Sequence, residues 1–290
     1  MKEVKKMSSK IAIVTDSTAS LTEELLKAHN IYSSYLMIIF GTESYQEFKE
    51  LSPAKFLELS ATQKELPSTS QPAIGLTVEL YESLFAKGYE EIIHVTISGA
   101  ISGSYDSARS AAEMVNAEKI HIVDSKIMVF PQGALAIEAS KLAKAGKTAA
   151  EIVPVLEEMR KHTNLTAAIK TLDNLRKGGR LSNAEATIGG ILQIKPIVHL
   201  TESGTIEAAG KVRTFKKAIQ FLIDTAKNAN LDEHYEICVL NMENPEEGAI
   251  LKAAIRDIYP NLTIHESPLS LVVSAHVGPG AVAISWIKNK

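Results

Sequence analysis

Cysteine occurs once in 290 residues, so no intrachain disulfide can form, and a reducing compartment, the cytoplasm, is the natural reading. That residue, Cys238, lies in the apolar run Glu236-Ile-Cys-Val-Leu240 and reads as packing material in a buried strand. Long hydrophobic runs are missing too. The longest, Tyr35-Leu-Met-Ile-Ile-Phe40, falls far short of the ~20 residues that cross a bilayer as a helix. The charged start Met1–Lys6 is followed by too short an apolar stretch, Ile11 to Val14, to act as an export signal. Positive charge is not in excess, with 31 Lys and Arg against 34 Asp and Glu for a net charge of −3. That balance gives no broad attraction for nucleic acid or an anionic membrane, although transient membrane contact through a local patch stays compatible with it.

Several site signatures are also missing. No spacing among His, Cys and carboxylates resembles a metal site, so no metal is expected. Neither a G-x-x-x-x-G-K-[ST] loop nor a G-x-G-x-x-G after the first strand supports nucleotide binding. The serine-hydrolase elbow G-x-S-x-G is not matched by Gly99-Ala-Ile-Ser-Gly103, which weakens that class without removing it. There is no internal repeat and no proline-rich linker.

What is present is an alternation. Ile11–Thr15, Glu91–Val95 and Ile120–Val123 read as strands, each followed by an amphipathic stretch, which is the pattern of a parallel sheet with helices on both faces. Ser52-Pro53 marks one helix start, and Thr148-Ala-Ala-Glu151 forms a capping box at another. From Leu165 onward strand-like pieces crowd together, at Ile194–Leu200 and Thr205–Ala209, before helical periodicity returns at Phe215–Ala226 and Ala249–Ile258. The expected fold is therefore α/β in two closely packed lobes: a parallel-sheet α/β lobe over 8–160 and an α+β lobe with antiparallel pairs over 161–290.

Four segments carry polar chemistry. Val14-Thr-Asp-Ser-Thr-Ala-Ser20 ends a strand at the edge where open α/β sheets bind ligands, and reads equally well as helix-capping chemistry. Pro67-Ser-Thr-Ser-Gln-Pro72 holds three hydroxyls and an amide extended between prolines, a strip able to offer several neutral donors to one anion. Ile97-Ser-Gly-Ala-Ile-Ser-Gly-Ser-Tyr105 sets hydroxyls and glycines before a helix starting near Ser104. Ser274-Ala-His-Val-Gly-Pro-Gly280 places a lone histidine in a turn. If the stretch before it is helical, its dipole would favour the protonated imidazole.

In their order these segments resemble one family. Val14-Thr-Asp-Ser, Thr69-Ser-Gln-Pro72, Ser102-Gly-Ser-Tyr105, Val123-Asp-Ser-Lys126, Leu175-Arg-Lys-Gly-Gly-Arg-Leu-Ser182, Ile194-Lys-Pro-Ile197, Gly210-Lys-Val-Arg213 and His276-Val-Gly-Pro-Gly280 look like those of the DegV family over nearly the full chain. The resemblance implies a long-chain fatty acid enclosed between the lobes, with its carboxylate near Thr69, Ser102, His276 and Arg180, and with Ser70 and Ser98 as neighbours. It further implies a lipid-binding subunit with no catalytic residue and no cofactor of its own, which presents the acid to an ATP-dependent fatty acid kinase subunit for acyl-phosphate formation in phospholipid metabolism. The rival classes are a lipid or ester hydrolase using Ser102 and His276, and a regulatory protein that senses acyl chains. Two departures from the family pattern stand out: Ser104 replaces a threonine, and Val129-Phe-Pro-Gln-Gly133 replaces a serine- and glycine-rich stretch. Phe130 is thereby the first candidate for a residue lining the tail.

Overall fold

A computed structural model describes residues 10–63, 66–182 and 194–289; the charged start Met1–Lys6 lies outside them. The chain opens with β1 (Ile11–Asp16), α1 (Glu23–His29) and β2 (Ile31–Ser34). A short antiparallel excursion follows, made of β3 (Met37–Phe40), β4 (Glu43–Gln46), α2 (Pro53–Thr62) and β5 (Ser68–Ser70). The first lobe is completed by α3 (Ile74–Ala86), β6 (Glu91–Thr96), α4 (Ser104–Val115), β7 (Ile120–Asp124), α5 (Val129–Lys144) and α6 (Ala149–Met159). The second contains β8 (Thr163–Ala168), α7 (Asp173–Lys177), β9 (Lys195–Leu200), β10 (Ile206–Val212), α8 (Phe215–Ala229), β11 (Tyr235–Asn241), α9 (Pro245–Ile258), β12 (Thr263–Pro268), α10 (Leu271–Val277) and β13 (Val282–Lys288).

In the first lobe the strands run parallel in the order β2-β1-β6-β7. Alternation along β1 explains why helices cover both faces. Ile11 and Ile13 pack with Leu135, Ile152 and Leu156 of α5 and α6, while Ala12 and Val14 pack with Tyr81 and Leu84 of α3 and Ala111 of α4. The expected caps are in place: Ser52 accepts from Lys55 N–H at 3.2 Å, and Thr148 and Glu151 close a reciprocal capping box.

The second sheet has the order β10-β9-β8-β13-β11-β12. Its pairs are antiparallel except β11 with β12, because α9 carries the chain across between those two strands. The α/β fold in two lobes agrees with the sequence reading. The small sheet β4-β3-β5 was not foreseen, since Tyr35–Phe40 reads only as an apolar run. Although it belongs by sequence to the first lobe, its Ile38 and Phe40 join one core with Leu165, Ile169, Val198 and Leu240 of the second. This excursion therefore brings β5, with its hydroxyls, against α10.

Candidate functional site

Five of the six expected residues line one cavity between the lobes: Thr69, Ser70, Ser102, Arg180 and His276. Thr69 and Ser70 come from β5, held by its pairing with β3. Ser102 stands just before α4, and Arg180 follows the glycine turn that ends α7. His276 lies in the last turn of α10. Thr69 Oγ1 and His276 Nε2 are 2.7 Å apart, and Ser102 Oγ lies 2.9 Å from Ser104 Oγ while accepting from Ser104 N–H at 3.2 Å. Serine at 104 thus keeps the hydroxyl contact that the more usual threonine would offer.

The electrostatics favour a bound anion. Arg180 Nε donates to the Ile101 carbonyl (3.2 Å) and Nη1 to the Gly178 carbonyl (2.5 Å). Among the described residues no carboxylate pairs with this guanidinium, whose bonds to backbone carbonyls fix it in place. His276 departs from the dipole argument: α10 is helical, yet burial first and the Arg180 charge second push the imidazole pKa down to about 4. At neutral pH it is an uncharged donor or acceptor beside a cation. The imidazole also needs Gly178, because a Cβ there would sit 2.7 Å from Nδ1.

Below the polar end the walls are apolar. The cavity bounded by these groups measures about 40 Å3, and a second, about 20 Å3, lies deeper between Leu165, Val198, Leu269 and Ala281. The two share a wall made of Met128, Leu175, Ile206, Val273 and Val277. The floor of the deeper one includes Ala167 and Ala283, directly opposite each other in the β8–β13 register. Each volume holds only a few water molecules at most. A longer guest therefore requires the shared wall to move, and the unbranched Met128 has the rotatable bonds to do so.

Two buried carboxyl groups brace the polar end. Asp16 caps the turn after β1 through Thr18 N–H (3.1 Å) and also accepts from Ile97 N–H (2.7 Å) and Gln132 Nε2 (3.0 Å), fixing the start of the Ser98–Ser102 loop. The capping reading of its segment is thus seen in this side chain, which also holds the Ile97 backbone. Glu47 accepts from Ser17 Oγ (2.5 Å), Ser270 Oγ (2.6 Å) and Val272 N–H (3.0 Å), tying β1's end to the helix that carries His276. Burial raises the pKa of both, partly offset by those hydrogen bonds. Asp124 holds the same loop from another side through Gly99 N–H at 3.1 Å.

Two expectations need correction. Ser98 is fully buried and does not line the cavity; its hydroxyl donates to the Gly204 carbonyl at 2.8 Å, linking the lobes. A Cβ at Gly204, whose φ is +83°, would collide with that hydroxyl, so the contact depends on glycine. Phe130 also lies off both cavities, its ring 4.7 Å from that of His265. The residue from this neighbourhood that lines them is Met128. Gln71 lines the cavity as well and packs over Gly103, where a Cβ would meet its amide at 3.2 Å. It stood in the hydroxyl strip but was not singled out, and its position between two hydroxyl motifs was the available signal.

The family model described as an uncharacterised protein of the DegV family matches residues 10–289, and the chain belongs to the DegV family. It is 38% identical over 283 residues to a DegV domain-containing protein of Halalkalibacterium halodurans, covering 97% of this chain and 100% of that one. The fold superposes on the fatty acid binding DegV family protein of Streptococcus agalactiae with a TM-score of 0.89 at 29% identity, over 98% of this chain and 100% of the other. For DegV of Bacillus subtilis, a fatty acid binding protein, the TM-score is 0.85 at 36% identity, over 97% and 100%.

Proposed function

We propose that this chain binds a long-chain fatty acid, with the carboxylate held by Arg180, Thr69, Ser102 and His276 and the tail threaded past Met128 into the deeper apolar cavity. The observation that carries this reading is the Arg180 guanidinium, with no carboxylate partner among the described residues, beside a neutral imidazole and three hydroxyls at the polar end of an apolar, two-part cavity. A buried carboxylate is costly unless paired and hydrogen-bonded, and this set of groups supplies both the charge and the donors. A tail of about fourteen methylenes contributes roughly 11 kcal/mol before ordering and association costs, so affinity comes from the tail and orientation from the head. Fatty acid binding by the Streptococcus agalactiae and Bacillus subtilis relatives supports the ligand class.

In this reading the chain is a non-catalytic subunit in the cytoplasm, divided near residue 160, that presents the acid to an ATP-dependent kinase subunit for acyl-phosphate formation. The hydrolase alternative is disfavoured by hydrogen bonding: His276 bonds Thr69, whereas Ser102 bonds Ser104, so the nucleophile and base of a hydrolase are not joined. Carboxyl-13C-labelled oleate tests the head-group assignment by NMR. A bound carboxyl resonance that does not titrate with the free acid, and that shifts in Arg180→Ala and Thr69→Ala, is the expected result. A signal that follows the free acid through the titration would refute it.

A further inference from the structure

A larger cavity, of about 340 Å3, opens at the carboxyl edge of the parallel sheet between the ends of β1 and β2, and shares no lining residue with the two already described. Its volume falls within the range of small-ligand pockets. Its location is the edge at which open α/β sheets place ligands. It does not depend on the fatty acid reading.

The lining specifies a ligand class. Leu21, Leu26 and the rings of Tyr35 and Phe48 give an apolar surface suited to a flat ring, while the hydroxyls of Ser20, Ser33 and Tyr35 can address polar groups on that ring's edge. The charged groups are already engaged. Glu23 pairs with Lys27 at 2.8 Å, Lys49 donates to Gln46 at 3.2 Å and lies over the Tyr35 ring, and the buried Asp16 spends its oxygens on the bracing bonds described above. Two carboxylates, Asp16 and Glu23, against the single lysine Lys49 give this lining no net positive charge to hold a phosphate or carboxylate, so the favoured guest is uncharged.

A separate feature points to the same place. Phe48 has a φ of +61°, a left-handed conformation unfavourable for a bulky side chain, and the turn around it is closed by Lys49 N–H donating to the Glu47 carbonyl at 2.8 Å. Phe48 is 39% exposed while lining this cavity, so the protein covers it only in part. Strained residues of this kind concentrate at ligand sites. We infer that this cavity is a second ligand site, taking a small uncharged ring compound with hydroxyl or amide groups, the chemical class of a nucleoside, against Phe48 and Tyr35.

The test uses the full chain as purified, with adenosine as probe, indole as the apolar control and AMP as the charged one, followed by ligand-observed NMR and calorimetry. Adenosine is expected to bind at least several-fold more tightly than indole and no more weakly than AMP. Phe48→Gly should weaken adenosine binding about tenfold while raising Tm, because it removes the ring and relieves the backbone together. Ser33→Trp, which fills the cavity, should abolish binding with the fold intact by circular dichroism. The inference is overturned if adenosine fails to bind at millimolar concentration, if AMP binds far more tightly, if indole binds equally well, or if neither variant alters adenosine binding. Bound fatty acid, measured in the same samples by mass spectrometry, should be unchanged in both variants, which keeps a failure here distinct from a failure of the lipid reading.

Discussion

The two ends of the interlobe cavity are built by different means. At the polar end, Thr69, Ser102, Arg180 and His276 come from four separate segments, each fixed by specific bonds or close packing: the β3–β5 pairing, the Asp16 and Asp124 contacts to the loop, the carbonyls around Arg180, and Gly178 against His276. At the deep end, the walls are mostly aliphatic side chains, with Met128, His199 and three alanines, Ala167, Ala281 and Ala283, among them. Directional bonds define position, while aliphatic packing defines how much apolar surface a guest can bury. On the proposed function, the polar end should therefore govern how the acid is presented, and the deep end how tightly and which tail is kept.

The sharpest way to break this contrast is to remove the fixed charge. Arg180→Ala is expected to lower kinase-dependent acyl-phosphate formation ~100-fold, since a displacement of about 1 Å in reacting atoms has that effect, while a clear fraction of the lipid remains bound. Loss of occupancy and turnover in strict proportion would show that head-group contacts dominate binding as well. Next in size, Ala283→Leu should remove room for about three methylenes, costing long chains about 2 kcal/mol, or ~30-fold in affinity, and leaving shorter chains nearly unaffected. Competition between acids of different length, read by mass spectrometry, checks it. Equal loss for all lengths would place the tail elsewhere.

Protons sharpen the comparison further, because His276 sits at the polar end. A carboxylate beside His276 should raise the imidazole pKa from about 4, so binding takes up protons and affinity should rise as pH falls from 7 toward 5, by at most tenfold per unit. Stability of the protein without lipid follows the opposite trend. The depressed folded pKa of His276 lies below its unfolded value near 6.5, so this stability contribution is present above pH 6.5 and is lost as pH falls toward 4, at up to about 1.4 kcal/mol per unit. Denaturation of the wild type and His276→Gln across that window isolates the difference, which cancels the opposing contributions of Asp16 and Glu47. A parallel pair of curves would contradict it. The smallest expected effects on affinity belong to Thr69→Ala and Ser102→Ala, about 1 kcal/mol or fivefold, alongside a disproportionate loss of turnover.

Much of the scaffold was legible because it rests on local patterns. The alternation in Ile11–Val14 gave a strand with two buried faces, and Thr148 with Glu151 gave a helix start, both independent of distant contacts. The gathering of Thr69, Ser102, Arg180 and His276 was legible only through ordered motifs, since no single segment dictates that β5 meets α10. Ser98 and Phe130 show where motif adjacency ends. Ser98 is four residues from Ser102 but turns toward Gly204, and Phe130 is two residues from Met128 but turns toward His265. Glu47 had no sequence signal at all: a glutamate between Gln46 and Phe48 reads as surface, and only the folded chain shows it buried against Ser17 and Ser270. The neutral state of His276 was missed because burial and a neighbouring cation outweigh a dipole seen from one short helix.

The most direct measurement is mass spectrometry of the lipid carried by the native protein and reloaded after delipidation. The account predicts near-stoichiometric long-chain fatty acid in the wild type, full reloading from free acid, and a shift to shorter chains in Ala283→Leu. A protein that emerges empty and cannot be loaded, or one whose bound chain length is indifferent to Ala283→Leu, would contradict it.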